Sequence, residues 1–371
     1  MKQLDSLVYQ ARNHPSVFIY SLFNEEPLQQ EERGMRMARK MRARILELDP
    51  DRAVTAAMNG GVLTRTNASD VLDVIGINYF LADYEACHTR TPGKAILGTE
   101  NCPTFGTRGV YLSDCKTQVY ADDCSEWAAF SESIEQTMEC MEDKLYVAGC
   151  FAWSGFDYRG EPQPYSWPSV MSHWGIMDIC GFAKNSAYYL AAWYRDDLFA
   201  HLLPHWNWSE GERIRVSVFT NGETAELYVN GVSAGIRAVC GKRAEWSIPF
   251  TPGSLRVCVN RAGQEAFDEV RTATEPARLL LTDVTPAHDD SQIRIINICV
   301  TDKQGTILPD YDKAVDFQVI NGRILGVGNG DPNSHHMDIS DSVNLFHGQA
   351  QLILTGDGAV SARCERLRAD C

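Results

Sequence analysis

The chain has 371 residues, of which 44% are hydrophobic, 10% aromatic and 22% charged. That is the make-up of a folded globular polypeptide with material for two or three domains, and it excludes disordered and collagen-like chains. With 34 basic and 49 acidic residues the net charge is -15, a sign that repels phosphate backbones and anionic bilayers and argues against nucleic acid or a membrane as partner.

In chain order, the first 200 residues alternate short apolar or β-branched runs with longer helical stretches, the signature of βα units around a parallel sheet. Strands are expected at 17–24, 53–57, 71–79, 95–100 and 146–156. Amphipathic helices are expected at 31–47, where Met35, Ala38, Met41, Ile45 and Leu48 fall at helical spacing, and at 125–141. After Trp208 the texture changes to short alternating strands: IRVSVF, AELYVN, LRVCVN, QIRIINICV, AVDFQVI and QAQLILT. Turn signals at Asn221-Gly222, Asn230-Gly231 and Asp357-Gly358 separate them, as in antiparallel sandwiches. TATEPA, residues 272–277, reads as a linker. The expected domains are therefore 1–200, 201–275 and 276–371.

No apolar run reaches the roughly 18 residues that span a bilayer, and the opening MKQLDSLVYQARN lacks the apolar centre of a signal peptide. Twelve cysteines are scattered without CxxC spacing, which favours reduced thiols, a reducing cytoplasmic compartment and no zinc site; a signal peptide upstream of this chain stays open. His335 and His336 stand together in a polar loop and read as solvated rather than metal-bound.

Two carboxylates end strands. RNHPSVFIYSLFNEEP terminates an apolar run in Asn24-Glu25, and AILGTEN closes on Glu100. In a βα barrel the reacting groups project from the C-terminal strand ends, and two facing carboxylates are the minimum equipment for cleaving a glycosidic bond. By spacing alone a helix N-cap or a surface charge explains a strand-end carboxylate as well.

The strings say more. RNHPSVFIYSLFNEEP resembles the acid/base signature of glycoside hydrolase family 2, the family of β-galactosidases, β-glucuronidases and β-mannosidases. GTENCPTFGTRGVY is similar to its nucleophile segment, and GCFAWSGFDYRGEPQPYSWPSVMSHWGIMDICGFAKNSAYYLAAWY to its last barrel strand and long loop, in the β-galactosidase-like branch. The loop GVGNGDPNSHH resembles one in the C-terminal domains of these enzymes. The implied fold is α/β followed by all-β: a partial (β/α)8 TIM barrel, strands four to eight, with two C-terminal immunoglobulin-like β-sandwich domains.

Residue by residue, the resemblance implies Glu25 as acid/base, with Glu26 its bland neighbour, and Glu100 as nucleophile. Asn24 would hold the sugar 2-hydroxyl and Tyr79 the nucleophile. Arg12 and His14, in the RNHP element, would support the nucleophile's end of the pocket, although His14 reads equally as a structural histidine. Trp153 would floor the sugar subsite, and Asp157, Tyr158 and Glu161 on the following loop would contact ligand. Six aromatics between Trp153 and Trp174 offer stacking faces, some of which belong to the core. No cofactor and no metal are implied.

The implied activity is hydrolysis of terminal β-galactosides with retention. The glucuronidase branch clamps its substrate carboxylate with an asparagine and a lysine just before the glycine matching Gly175, where this chain reads Ser172-His173-Trp174. Mannosidase and glucosaminidase specificities stay open, as does a non-catalytic carbohydrate-binding fragment. Oligomeric state is not legible. Five strands against the barrel's eight lead to one more expectation: the chain is part of a catalytic unit whose remaining strands come from elsewhere, another polypeptide included.

Overall fold

The computed structural model describes residues 1–287, 292–356 and 358–371. Two compact units form, one from residues 1–103 and 127–154, the other from 104–126 and 155–371. They do not part at residue 200.

The first unit is built on five parallel strands in sequential order: β1 Ile19–Asn24, β2 Ala53–Met58, β3 Ile75–Asn78, β4 Ile96–Asn101 and β5 Val147–Ala152. Four helices accompany them: α1 Lys2–Ala11, α2 Glu32–Leu48, α3 Tyr84–Arg90 and α4 Ile134–Asp143. Every residue of β3 and five of the six in β2 are buried, as a parallel sheet covered on both faces requires. α2 turns Ala38 and Ile45 inward onto a core with Val54, Ala56, Ile75, Ile77 and Ile96. Gly76 permits close strand approach, since a Cβ there would stand 2.2 Å from the Ala56 carbonyl oxygen.

Three elements are shorter than their sequence patterns. The strand expected at 71–79 begins only at Ile75, because Asn67 caps a 3-10 turn at Ala68–Val71 and Asp73 accepts from Val54 N at 3.0 Å and pairs with Arg42. The helix expected from 125 starts at Ile134, where Ser133 and Gln136 close a reciprocal capping box; before it, Ala128 N donates to the Pro103 carbonyl. The strand expected to run to 156 ends at Ala152, and Trp153 N donates to Asn101 O at 2.7 Å.

In the second unit, the segments 104–126 and 155–184 are mostly irregular and precede α5 Asn185–Tyr194. Seven strands follow: β6 Ala200–Leu203, β7 Arg213–Thr220, β8 Thr224–Val229, β9 Val232–Ala238, β10 Arg243–Pro249, β11 Ser254–Arg261 and β12 Gln264–Arg271. They form the sheets β10-β7-β6 and β12-β11-β8-β9 around Trp206, Val216, Leu227, Trp246 and Val257. Asn230 and Gly231, both at positive φ, make the tight hairpin between β8 and β9. Asn221-Gly222 makes no hairpin; the chain passes there from one sheet to the other, and the Asn221 amide ties down the carbonyls of Arg195 and Asp197. Asp357 of the third turn signal lies outside the described residues.

The last eight strands are β13 Arg278–Asp283, β14 Ile293–Thr301, β15 Ala314–Ile320, β16 Arg323–Gly328, β17 Ser342–Asn344, β18 Gln349–Thr355, β19 Ala359–Cys364 and β20 Leu367–Asp370. They pair as β13-β14-β18-β16 and β17-β15-β19-β20 around Ile296, Ile298, Phe317, Leu352 and Val360. Arg108 explains why segment 104–126 belongs with these modules. Its buried guanidinium pairs with Asp178 at 2.6 Å and donates to the carbonyls of Asn329 and Phe346 and to the Gln349 amide oxygen.

Candidate active site

The first unit gathers its polar side chains where β1, β3 and β4 end. Glu25, Tyr79, Phe80 and Cys102, each within two residues of a strand end, have positive φ (52°, 59°, 42° and 58°), an uncommon conformation for such residues and one that turns the chain sharply. Ladder irregularities accompany them between Ser21 and Asn24, Ile77 and Asn78, and Gly98 and Asn101, the kind of break that re-aims a side chain at a sheet's rim.

Asn78 is the hub. Fully buried, its Nδ2 lies 2.8 Å from Glu25 Oε1, 3.0 Å from Asn24 Oδ1 and 3.4 Å from Glu100 Oε2. Thr99 Oγ1 donates to Asn78 Oδ1 at 2.7 Å. The Tyr79 hydroxyl donates to Glu100 Oε1, and the Tyr79 ring packs edge-on against Phe130 with centroids 4.9 Å apart. Glu25 and Glu100 are both half-buried. Two carboxylates on different strands thus share one amide donor, and one of them has its own phenol.

Asn24, Glu25, Tyr79 and Glu100 therefore come together as the sequence implies. Trp153 follows β5 at the same end of the sheet, its backbone bonded to Asn101 beside Glu100. Arg12 and His14 do not join them. They precede β1 at the opposite end of the sheet and are exposed; Arg12 donates to Leu48 O at 3.4 Å, and the His14 carbonyl accepts from Arg52 at 3.2 Å. The RNHP element lies before β1, and a strand carries its start away from its end.

Asp157, Tyr158 and Glu161 belong to the second unit. Asp157 is not available as a sugar contact: it is buried, Lys184 Nζ sits 2.5 Å from Oδ2, and Gly175 N donates to Oδ1 at 2.8 Å. Burial pushes its carboxyl up to about 6, against the pull of Lys184. Tyr158 accepts from Trp174 Nε1 at 3.0 Å and donates to the exposed Glu161. His173 is also buried, held between Thr107 Oγ1 and Ser169 Oγ at 3.1 Å each. Desolvation, then the charge of Lys184, pushes it down to about 3. His335 stacks on Trp167 with centroids 4.2 Å apart and contacts the Pro168 carbonyl at 2.7 Å.

Sequence reading missed Asn78 and Thr99. The available signal was a polar residue closing IGIN, a strand otherwise apolar throughout, at the end where Tyr79 follows.

Comparison with known proteins agrees with this architecture. Residues 1–166 match the glycosyl hydrolases family 2 TIM barrel domain, 280–370 match glycoside hydrolase family 2 C-terminal domain 5, and 211–266 match a domain of unknown function. Beta-galactosidase BoGH2A of Bacteroides ovatus is 30% identical over 96% of this chain and 48% of its own length. A putative beta-glucuronidase of Formosa agariphila is 26% identical over 92% of this chain and 36% of its own. The crystal structure of a beta-glycosidase from Bacteroides vulgatus superimposes with a TM-score of 0.87 at 25% identity, covering all of this chain and 52% of that one. Family-2 domains thus account for the parallel sheet and for the last β-module, and the chain belongs to glycoside hydrolase family 2. It spans about half the length of that galactosidase.

Proposed function

We propose that this chain carries the reacting groups of a retaining exo-β-glycosidase acting on terminal β-galactosides. The observation behind this reading is the pair of strand-end glutamates that share Asn78. Their oxygens lie 2.8 and 3.4 Å from one nitrogen, and so no farther apart than the sum of those distances. Two carboxylates that meet at one amide support the closely spaced retaining pair, whose carboxyl groups stand about 5–5.5 Å apart, over a wider inverting one. In the proposed reaction Glu100 attacks the anomeric carbon while Glu25 passes its proton to the departing glycosidic oxygen. The resulting ester is then opened by water, whose proton returns to Glu25, and the sugar leaves with its configuration retained. Tyr79 steadies Glu100 from Oε1. Asn24 and Trp153 hold the sugar. The open edges of β1 and β5 are completed by further barrel strands, from the same protein or from another polypeptide.

Similarity to a protein named beta-galactosidase favours the galactoside. The sequence favours it too, since the stretch before Gly175 reads Ser172-His173-Trp174, without the asparagine and lysine of the glucuronidase branch. The glucuronide is the second reading because relatives named for it match the chain. A panel of nitrophenyl β-galactoside, β-glucuronide, β-mannoside and β-glucosaminide with the full-length protein decides. We expect the highest kcat/KM on the galactoside, by tenfold or more over the glucuronide, the scale of one charge-assisted hydrogen bond of about 1.5–3 kcal/mol. A higher value on the glucuronide reverses the specificity, and no turnover of any member leaves sugar binding without catalysis.

A further inference from the structure

We infer that Asn78 is a positioning residue that sets the orientation of Asn24 and ties it to both carboxylates, so that the gain a substrate draws from its 2-hydroxyl passes through an amide that never touches the sugar. This rests on the reading of the site as a glycosidase centre.

The nucleophilic carboxylate of Glu100 only accepts, so the atom of Asn78 that lies 3.4 Å from it and 2.8 Å from Glu25 is its NH2 group. The same nitrogen is 3.0 Å from the Asn24 side chain, and two N–H groups would clash there, so Asn24 turns its oxygen inward. The Thr99 hydroxyl donates at 2.7 Å to the remaining atom of Asn78 and braces an orientation that Glu100, which can only accept, already fixes. The Asn24 amide nitrogen is left pointing away from the hub on an exposed side chain. Asn24 thus offers donors to the cleft because Asn78 turns its own donors toward the Asn24 oxygen, with Thr99 bracing Asn78 from behind.

The hub is short of hydrogens. Two N–H bonds serve three acceptors, and the longest contact is to Glu100. When the Glu100 oxygen is consumed in the ester it becomes a poorer acceptor, and the amide is released to Asn24 and to Glu25, which has just lost its proton. Orientation and charge support therefore change hands as the reaction proceeds.

The test uses the full-length protein, the nitrophenyl β-glycoside it turns over fastest, and the 2-deoxy form of that glycoside. The quantity read is the ratio of kcat/KM between the two. In Asn78→Ala we expect kcat/KM on the parent glycoside to fall about a hundredfold and the ratio to shrink about tenfold, since the lost contact is one that strengthens in the transition state. Because Asn78 is buried, Thr99→Val is the second variant, with a smaller shrinkage of the same sign, and Thr99→Ser, which keeps the hydroxyl, should restore the ratio. A purely structural role slows both substrates alike. An unchanged ratio in Asn78→Ala and Thr99→Val, with wild-type activity intact, overturns the positioning role alone; a wild type inert on every glycoside overturns the functional reading and this inference with it.

Discussion

Glu25 and Glu100 are both carboxylates at strand ends, yet their surroundings divide the work. Glu25 takes the near end of the Asn78 amide, whereas Glu100 has the phenol of Tyr79 on one oxygen and the long arm of that amide on the other. A group that gives up a proton in one step and recovers it in the next is expendable when the leaving group needs none. Glu25→Ala should therefore lose about 10²–10⁴-fold on glycosides with poor leaving groups, keep most of its rate on dinitrophenyl glycosides, and be rescued by azide with a β-glycosyl azide as product. A 2-fluoro mechanism-based glycoside should label Glu100, as read by peptide mass spectrometry. Label on Glu161, or on Glu26, would sink the assignment. Both glutamates were legible because each closes a long apolar string. Asn78 was not, because an asparagine after a strand reads as a turn former until its neighbours across the sheet are known. Arg12 and His14 were misread for a related reason: nearness in sequence to Glu25 does not reveal that a six-residue strand separates the two ends.

At the scale of elements, periodicity found three of the five parallel strands close to their observed bounds, because their apolar runs are interrupted by Gly, Pro or charge. It overran wherever a local hydrogen bond imposed a stop. Asp73, Ser133 and the bond from Trp153 to Asn101 are such stops, and each depends on a partner that periodicity does not see. The irregular segments 104–126 and 155–184 were the least legible, since buried polar groups rather than an apolar stripe hold them. His173 is one such group, bridging Thr107 and Ser169. Its folded-state value near 3 lies below the ordinary histidine value of about 6.5, so its neutral form stabilises the fold above that ordinary value. As pH falls below 6.5 the unfolded chain binds the proton first, and the stabilisation drains away toward pH 3. The difference in Tm between wild type and His173→Gln should therefore shrink from pH 7 to pH 4.5, by the equivalent of about 2 kcal/mol. Asp122 and Asp157, which burial raises to about 7 and about 6, titrate with the opposite sign but are common to both proteins. A difference that holds steady or widens on acidification would show that His173 is charged in the fold.

At the scale of the whole molecule, all three modules bury a core, but the parallel sheet leaves its edges open. Among the described residues β1 pairs only with β2, and β5 only with β4. Side chains near these edges are apolar and open: Phe18 is 66% exposed just before β1, and Phe151 is 52% exposed within β5. A parallel strand with an unpaired row of N–H and C=O groups beside an exposed phenyl ring is a template for another chain. The polypeptide of residues 1–371 alone should thus self-associate in proportion to its concentration and bind an apolar dye such as anilinonaphthalene sulfonate. Phe18→Lys and Phe151→Lys, which set a charge beside each edge without touching the glutamates, should weaken both signals. Sedimentation at several concentrations reads the first signal and fluorescence the second. A monomer at tens of micromolar that ignores the dye would mean that the two edges are covered from within the chain, and that the carboxylate pair needs no further strands around it.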